Sequence, residues 1–279
     1  TSERLIAALS ARLPGSAKRP LSASALEDYA RCPFRFFVYR VLHAAPIEEG
    51  GDDLDPLTSG RLHHRVLEKF FAELRDQGRL PLRGDEAERA LLLRVIDEVL
   101  VEFDESERTG HPTLFRARLR RLRSDLLQLV AREAQAPIEA GCLPTLLEHP
   151  FGPLRIAAQD EASAGDRGPR TDPPADGALH IAGIIDRIDI GPGRALVLDY
   201  KTGQIRRYQD YLRAQLLVTS FQLPLYAAAV QADPQVQALA AARAAGSVDG
   251  DHTDPAQPGR SDGRLQVSAR YYAVRQAVV

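Results

Sequence analysis

The sequence contains no methionine and, in 279 residues, only two cysteines, Cys32 and Cys142. Two thiols cannot build a disulfide framework or, by themselves, a four-cysteine metal site, so a reducing, cytoplasmic compartment is expected. No apolar run reaches the roughly 18 residues needed to cross a bilayer, and no basic-then-apolar leader opens the chain, so neither a membrane span nor a secretory signal is expected. Charge of one sign is lacking too: 36 basic residues stand against 38 acidic ones, a formal net charge of -2. Any surface for a polyanion must therefore be local. A phosphate-binding G-x-x-x-x-G-K-[ST] loop is absent, which places any nucleotide-driven motor outside this sequence. A start at Thr1 without a single methionine leads us to expect a piece of something longer. What remains, 44% hydrophobic and 27% charged residues, is the composition of an ordinary globular protein long enough to bury a substantial core.

The most informative stretch runs from Leu179 to Gly203. Two apolar runs, His180 to Ile190 and Ala195 to Lys201, flank Gly191, Pro192, Gly193 and Arg194, which predicts a β-hairpin with a tight Pro-Gly turn. If the loop is Pro192-Gly193, or all four residues, Asp186 lies directly opposite Asp199. Alternation along the strand then puts Lys201 on the same face as Asp199, with Ile184 opposite it. Two carboxylates roughly 5 Å apart repel by about 3 kcal/mol at an effective dielectric of about 20, and something must offset this. A divalent cation on hard oxygen ligands does so, with Lys201 beside it to orient a water or stabilise charge on a phosphate. The plainer reading is a half-solvated polar face on which Lys201 pairs with one aspartate. A G1 bulge at Gly193 would shift the register by one residue and part the carboxylates.

The words of this hairpin, G-I-I-D-R-I-D over 183–189 and L-D-Y-K-T-G over 198–203, resemble the active-site hairpin of the PD-(D/E)XK nuclease superfamily in its RecB-like branch. Further marks follow in the same order. G-R-L-H-H-R-V-L-E over 60–68 resembles that family's G-x-x-x-H-x-x-L-E motif, which makes His64, not His63, the implied metal ligand. By spacing alone His64, Leu67, Glu68 and Phe71 share one helical face, where a histidine is usually a core residue. Glu68, one turn on, either holds the imidazole or sits at the helix edge. Gln222 and Tyr226, four apart, fit the family's Q-x-x-x-Y mark, which implies contact with the catalytic lysine or the DNA backbone; by themselves they sit on an apolar helix in which Pro224 is awkward unless it lies in the first turn. The opening S-A-S-A-L-E-D-Y-A-R-C-P-F-R-F over 22–36 is similar to AddB-type nuclease domains. In that family the cysteine joins three C-terminal cysteines around an iron-sulfur cluster. This chain has no such trio, so no iron-sulfur cluster is expected in it and Cys32 reads as a small buried residue.

The rest of the chain reads as follows. A short helix is expected over Thr1 to Leu13, ended by Pro14-Gly15, then a helix capped by Ser22 or Ser24, the latter in a capping box with Glu27. Pro33 starts a second helix carrying Phe34, Phe37, Tyr39 and Leu42, the pair being packed by aromatics. Ile47 to Thr58 reads as a loop. Residues 85–141 are helical, broken near Gly110-His111-Pro112, with stripes Leu91, Leu92, Val95, Ile96, Val99 and Leu119, Leu122, Leu126, Leu129, Val130. Between the stripes Arg116, Arg120 and Arg123 share a face suited to a phosphate backbone or simply to solvent. Leu146 to Phe151 and Gly152 to Ala157 read as strand interrupted by Pro150 and Pro153. Glu148 stands where the family often has an acidic residue, and ranks below the aspartate pair. Gln159 to Gly177 and Gly246 to Gly263 read as loops, and Leu265 to Val274 as a closing strand beside the hairpin.

The expected fold is α/β, a mixed central sheet flanked by helices, restriction-endonuclease-like and with a helical insertion, in one nuclease domain over 1–279. Its parts are N-terminal helices with the histidine motif (21–75), the insertion (85–141), and the sheet and closing helix (146–279). The resemblance implies hydrolysis of phosphodiester bonds in DNA, as in helicase-nucleases that process double-strand ends. His64, Asp186, Asp199 and the carbonyl of Tyr200 would hold Mg²⁺ or Mn²⁺, Lys201 would act with Asp186 and Asp199 in catalysis, and Gln222 and Tyr226 would orient Lys201 and the scissile strand. DNA and a helicase or motor are the implied partners. A non-cleaving DNA-binding or assembly module, and a hydrolase of small phosphate compounds, are the alternatives.

Overall fold

A two-residue turn at Pro192 and Gly193, with Gly193 at φ 63°, joins two strands of the hairpin, β2 (Ala178–Gly191) and β3 (Arg194–Lys201). Proline presets the first turn position and glycine accepts the left-handed second one, so the ladder starts without a bulge. Its register runs from Gly191 opposite Arg194 to Arg187 opposite Leu198. Continued one step outward, that register would set Asp186 opposite Asp199. The computed structural model describes residues 12–44, 56–104, 112–157, 178–202, 219–246 and 264–274, besides the isolated Arg4. The expected helix over Thr1 to Leu13, the two loops before the hairpin and before the last strand, and Gly203 with the connector after it lie wholly or largely outside those residues.

Two further strands complete a sheet of order β1-β2-β3-β4. β4 (Gln266–Ala273) runs parallel to β3, from Arg194 beside Gln266 to Lys201 beside Ala273. A parallel neighbour needs a long crossover. Among the described residues, two helices, α6 (Gln222–Ala232) and α7 (Pro234–Gly246), lie between β3 and β4 in the chain. Pro224 falls in the first turn of α6, where its missing N–H costs nothing. β1 (Leu143–Ala157) is one strand rather than two pieces broken by proline. It sits at the edge of the sheet order, where prolines are tolerated, and its backbone turns left-handed at Glu148 (φ 44°) and Gly152 (φ 101°). At Gly152 a Cβ would stand 2.5 Å from the Ile181 carbonyl oxygen, so only glycine fits that approach.

The chain divides into two compact units. One comprises Thr1–Ile47, Pro150–Ile184 and Tyr211–Leu225. Here Leu21 bridges Ile181 in parallel, its N–H donating to the His180 carbonyl at 2.8 Å, and Leu21, Ala25, Phe36 and Val41 form a small core. Ser22 caps α1 (Ala23–Arg31), its hydroxyl accepting from the Ala25 N–H at 3.1 Å. The Ser24-Glu27 capping box does not form, because Glu27 instead accepts the N–H groups of Phe221 and Gln222, at 2.9 and 3.3 Å. A carboxylate at those first amides offsets the positive end of α6. After α1 come α2 (Pro33–Phe36) and a π-turn (Phe37–Val41). Tyr29 and Phe36 meet edge to face at 5.4 Å. Phe34, by contrast, is 74% exposed and takes no part in the aromatic packing, and Cys32, at the joint between two helices, is half-buried rather than buried.

The other unit comprises Glu48–His149, Ile185–Asp210 and Tyr226–Val279. Its core is built by α3 (Pro56–Asp76), α4 (Glu86–Asp104) and α5 (Pro112–Gln135). Apolar side chains at three- and four-residue spacing, among them Leu67, Phe71, Leu92, Ile96, Leu126 and Leu129, are fully enclosed together with Tyr200 and Val274. α3 begins four residues before Gly60, taking in part of the expected loop; Pro56 at its first position is preset for a helix. Asp233 caps α7 by accepting from the N–H of Gln235 at 2.8 Å, and its other oxygen meets His149 Nε2 at 2.7 Å. Burial pushes the Asp233 carboxyl up, but His149 and the two amides outweigh it and hold it below its usual 3.8. The native state therefore favours the charged form. Its contribution is complete above the usual carboxylate range and fades as pH falls through the depressed native value. Asp233→Ala is expected to lower unfolding free energy by about 1 kcal/mol at pH 7, with the gap to the parent closing in acid; urea denaturation at a series of pH values measures it.

Candidate metal centre

Three side chains from three elements of one unit meet at the end of the hairpin ladder. α3 supplies His64, β1 supplies Glu148, and β2 supplies Asp186; each offers one ligand atom and the three atoms lie within 4.8 Å of one another. His64 Nδ1 is 3.2 Å from Asp186 Oδ1 and 3.8 Å from Glu148 Oε1. The other Asp186 oxygen accepts the Tyr200 N–H at 2.7 Å. Beyond Arg187 and Leu198 the side chain of Asp186 thus takes over a backbone donor on β3, which fixes the carboxylate where the strands part. Glu148 reaches the group from a left-handed backbone, a conformation that a non-glycine residue adopts at a cost of order 1–3 kcal/mol.

Asp199 and Lys201 stand on β3 beside this trio. Asp199 is 2% exposed and Asp186 9%. Lys201 Nζ touches Asp199 Oδ2 and lies 5.0 Å from the centre of the Tyr271 ring. Burial, with the charge of Asp186 adding to it, pushes the Asp199 carboxyl up against the pull of Lys201 and His64. For Lys201 burial acts downward, and the charges of Asp199 and Asp186 outweigh it, leaving the amine above its ordinary value. His64 follows the same pattern. Burial, the largest single influence, lowers its pKa, but contact with Asp186 and Glu148 and their charges lift it to about 10. The two carboxylates thus favour the imidazolium form of His64. A divalent ion would replace its proton, so uptake releases acid.

The donor chemistry fits a hard divalent cation, since carboxylate oxygens of two strands and one imidazole converge while a lysine waits alongside. Beside the trio lies an open cavity of about 620 Å³, lined among others by Arg61, His64, Arg65, Glu102, Phe103 and Glu148.

Of the two adjacent histidines, His64 takes part in the group, while His63 is buried with no exposure. Glu148, ranked below the aspartates in the sequence, contributes an oxygen to the group. Glu68 lines the cavity but is engaged by Arg65 at 2.7 Å, not by the imidazole. Of the three arginines expected to share a face of α5, Arg116 and Arg120 are exposed, and Arg123 is in contact with Asp97. Gln222 opens α6 and Tyr226 is buried in it; the two fall in different compact units. Missed by the sequence reading is a buried charged group behind the sheet, Arg187 with Asp189 and Glu133. Charges alternating with isoleucines over 187–190 are its only signal.

A four-stranded mixed sheet flanked by helices, with carboxylates and a lysine on neighbouring strands and a histidine offered by a helix, defines a restriction-endonuclease-like α/β protein. The family model described as the PD-(D/E)XK nuclease superfamily matches residues 20–273, and the chain belongs to that superfamily. Among curated relatives, it is 30% identical over 238 residues to an ATP-dependent helicase/deoxyribonuclease subunit of Moorella thermoacetica, covering 79% of this chain and 18% of that protein. It is 28% identical over 194 residues to the protein of the same name from Lacticaseibacillus casei, covering 68% of this chain and 16% of that protein. The chain thus spans less than a fifth of the length of these relatives.

Millimolar Mn²⁺ is expected to raise the thermal midpoint of the parent, by about 2.7 kcal/mol of stabilisation where the ion stands at roughly a hundred times its dissociation constant. Asp186→Asn should lose most of that increment, and differential scanning calorimetry of both proteins with and without Mn²⁺ measures it.

Proposed function

We propose that this chain is the divalent-metal-dependent deoxyribonuclease module of a larger helicase-nuclease. In this reading both compact units serve one nuclease module over residues 1–279, which hydrolyses phosphodiester bonds in DNA during processing of double-strand ends. The observation that carries the reading is the convergence of His64, Glu148 and Asp186 beside the Asp199–Lys201 pair. Membership of the nuclease superfamily and the names of the Moorella and Lacticaseibacillus relatives support it.

His64, Asp186 and Asp199, with Glu148 and the Tyr200 carbonyl, would hold one or two Mg²⁺ or Mn²⁺ ions. When bound, such an ion supplies Lewis-acid activation of water and neutralisation of charge on the attacked phosphate. Asp199 keeps Lys201 charged and fixed in place. Lys201 then orients the attacking water or meets the negative charge that develops on the phosphate. Arg61 and Arg65 along the cavity, and the exposed Arg116 and Arg120, offer cations to a DNA backbone. Gln222 and Tyr226 are assigned to orienting Lys201 and the scissile strand. A strand fed by a motor would be cut progressively from its end, so the natural reaction is exonucleolytic.

The test is degradation of end-labelled linear single- and double-stranded DNA with Mg²⁺ or Mn²⁺. Asp199→Ala and Lys201→Ala should each lower the rate by about 10²–10³-fold or more. Cleavage that survives both substitutions would overturn the assignment, and DNA binding without cleavage by the parent would favour a non-cleaving module.

A further inference from the structure

Arg187 follows the metal ligand Asp186 in the chain, so alternation points it to the opposite face of β2. Nothing in the reaction uses it there, yet it is 3% exposed. Its Nε and Nη2 donate to the two oxygens of Asp189 at 2.5 and 2.6 Å, and Nη2 also meets Glu133 Oε1 at 2.6 Å. Nη1 donates to the Tyr200 hydroxyl at 3.2 Å, and the guanidinium lies 4.3 Å from the centre of the Phe71 ring. One side chain therefore touches β2, β3, α5 and α3.

Stability is a poor reason for such a group. Desolvating three charges costs several kcal/mol per ion, and apolar replacements of similar volume are often as stable or more so. What the network fixes is Tyr200. That residue makes three contacts at once. Its hydroxyl accepts from Arg187, its ring stands edge-on to His64 with centroids 6.0 Å apart, and its backbone N–H donates to Asp186 Oδ2 at 2.7 Å. A second edge contact, to Tyr272 at 6.1 Å, leaves the ring little freedom.

We propose that Arg187, oriented by Asp189 and Glu133, is a positioning residue that sets the geometry of the metal centre from behind the sheet through Tyr200. The inference rests on the metal-centre reading above. The hydroxyl of Tyr200 is its link: without it the ring is no longer tied to the guanidinium, and the amide that holds Asp186 and the edge that confines His64 loosen together. Partners of metal ligands at one remove typically govern affinity by 10–100-fold.

The test compares the full chain with Tyr200→Phe, which removes one oxygen and keeps the packing, and with Arg187→Lys, which keeps the charge but loses the fork. Three readouts are taken: Mn²⁺ affinity by calorimetry, hydrogen exchange at the Tyr200 amide, and the urea midpoint. Both variants are expected to bind Mn²⁺ about tenfold or more weakly and to exchange the Tyr200 amide faster, while Tyr200→Phe remains folded with a cooperative transition. A variant that is less stable but keeps Mn²⁺ affinity within about twofold of the parent would reduce the network to a structural role and overturn the inference. A parent that binds no Mn²⁺ would overturn the metal-centre reading itself, and this inference with it.

Discussion

Two carboxylates on neighbouring strands, both nearly shut off from water, are the constraint around which this unit is arranged. Left alone they would repel across a medium that screens poorly. The nearby cations answer that repulsion: Lys201 touches Asp199, and His64 sits against Asp186 with its pKa lifted to about 10. The constraint exists only because the hairpin register is what it is. A slip by one residue would send Asp186 to the face of Arg187 and reverse every side chain of the strand. The turn at Pro192 and Gly193 and the parallel seat of β4 on β3 hold that register from both sides.

Much of this is legible in the chain. The strands, the turn and the opposed aspartates follow from a period of two and two turn residues, and the packed faces of α4 and α5 from a period of 3.6. The choice of His64 over its neighbour comes from a motif, and His63 is buried. Other features resist for physical reasons. Glu148 ranks low in the sequence because two prolines make its strand look broken, and no local pattern signals a left-handed glutamate. The group around Arg187 cannot be seen there because Glu133 comes from a helix about fifty residues away, and only tertiary packing brings it to the strand. Phe34 suggests a core position by its type alone, although it faces outward.

The relation to much longer helicase/deoxyribonuclease proteins fits a division of labour visible within one unit of the fold. His64, Glu148, Asp186, Asp199 and Lys201 all belong to the same compact unit, so the centre is assembled from local walls. The basic residues are scattered by comparison. Arg123 is engaged by Asp97 and Arg65 by Glu68. With so little net charge, any surface for a polyanion must be local.

The left-handed backbone at Glu148 carries a further meaning for the history of the chain. A glutamate bears a conformational penalty there that glycine would escape and asparagine would feel less. Drift under selection for folding alone would therefore discard the acid, and the chain would become sturdier as it lost that carboxylate. On the metal-centre reading proposed above, its presence marks a site where endurance has been exchanged for chemistry, and descendants released from that chemistry should give up this residue among the first.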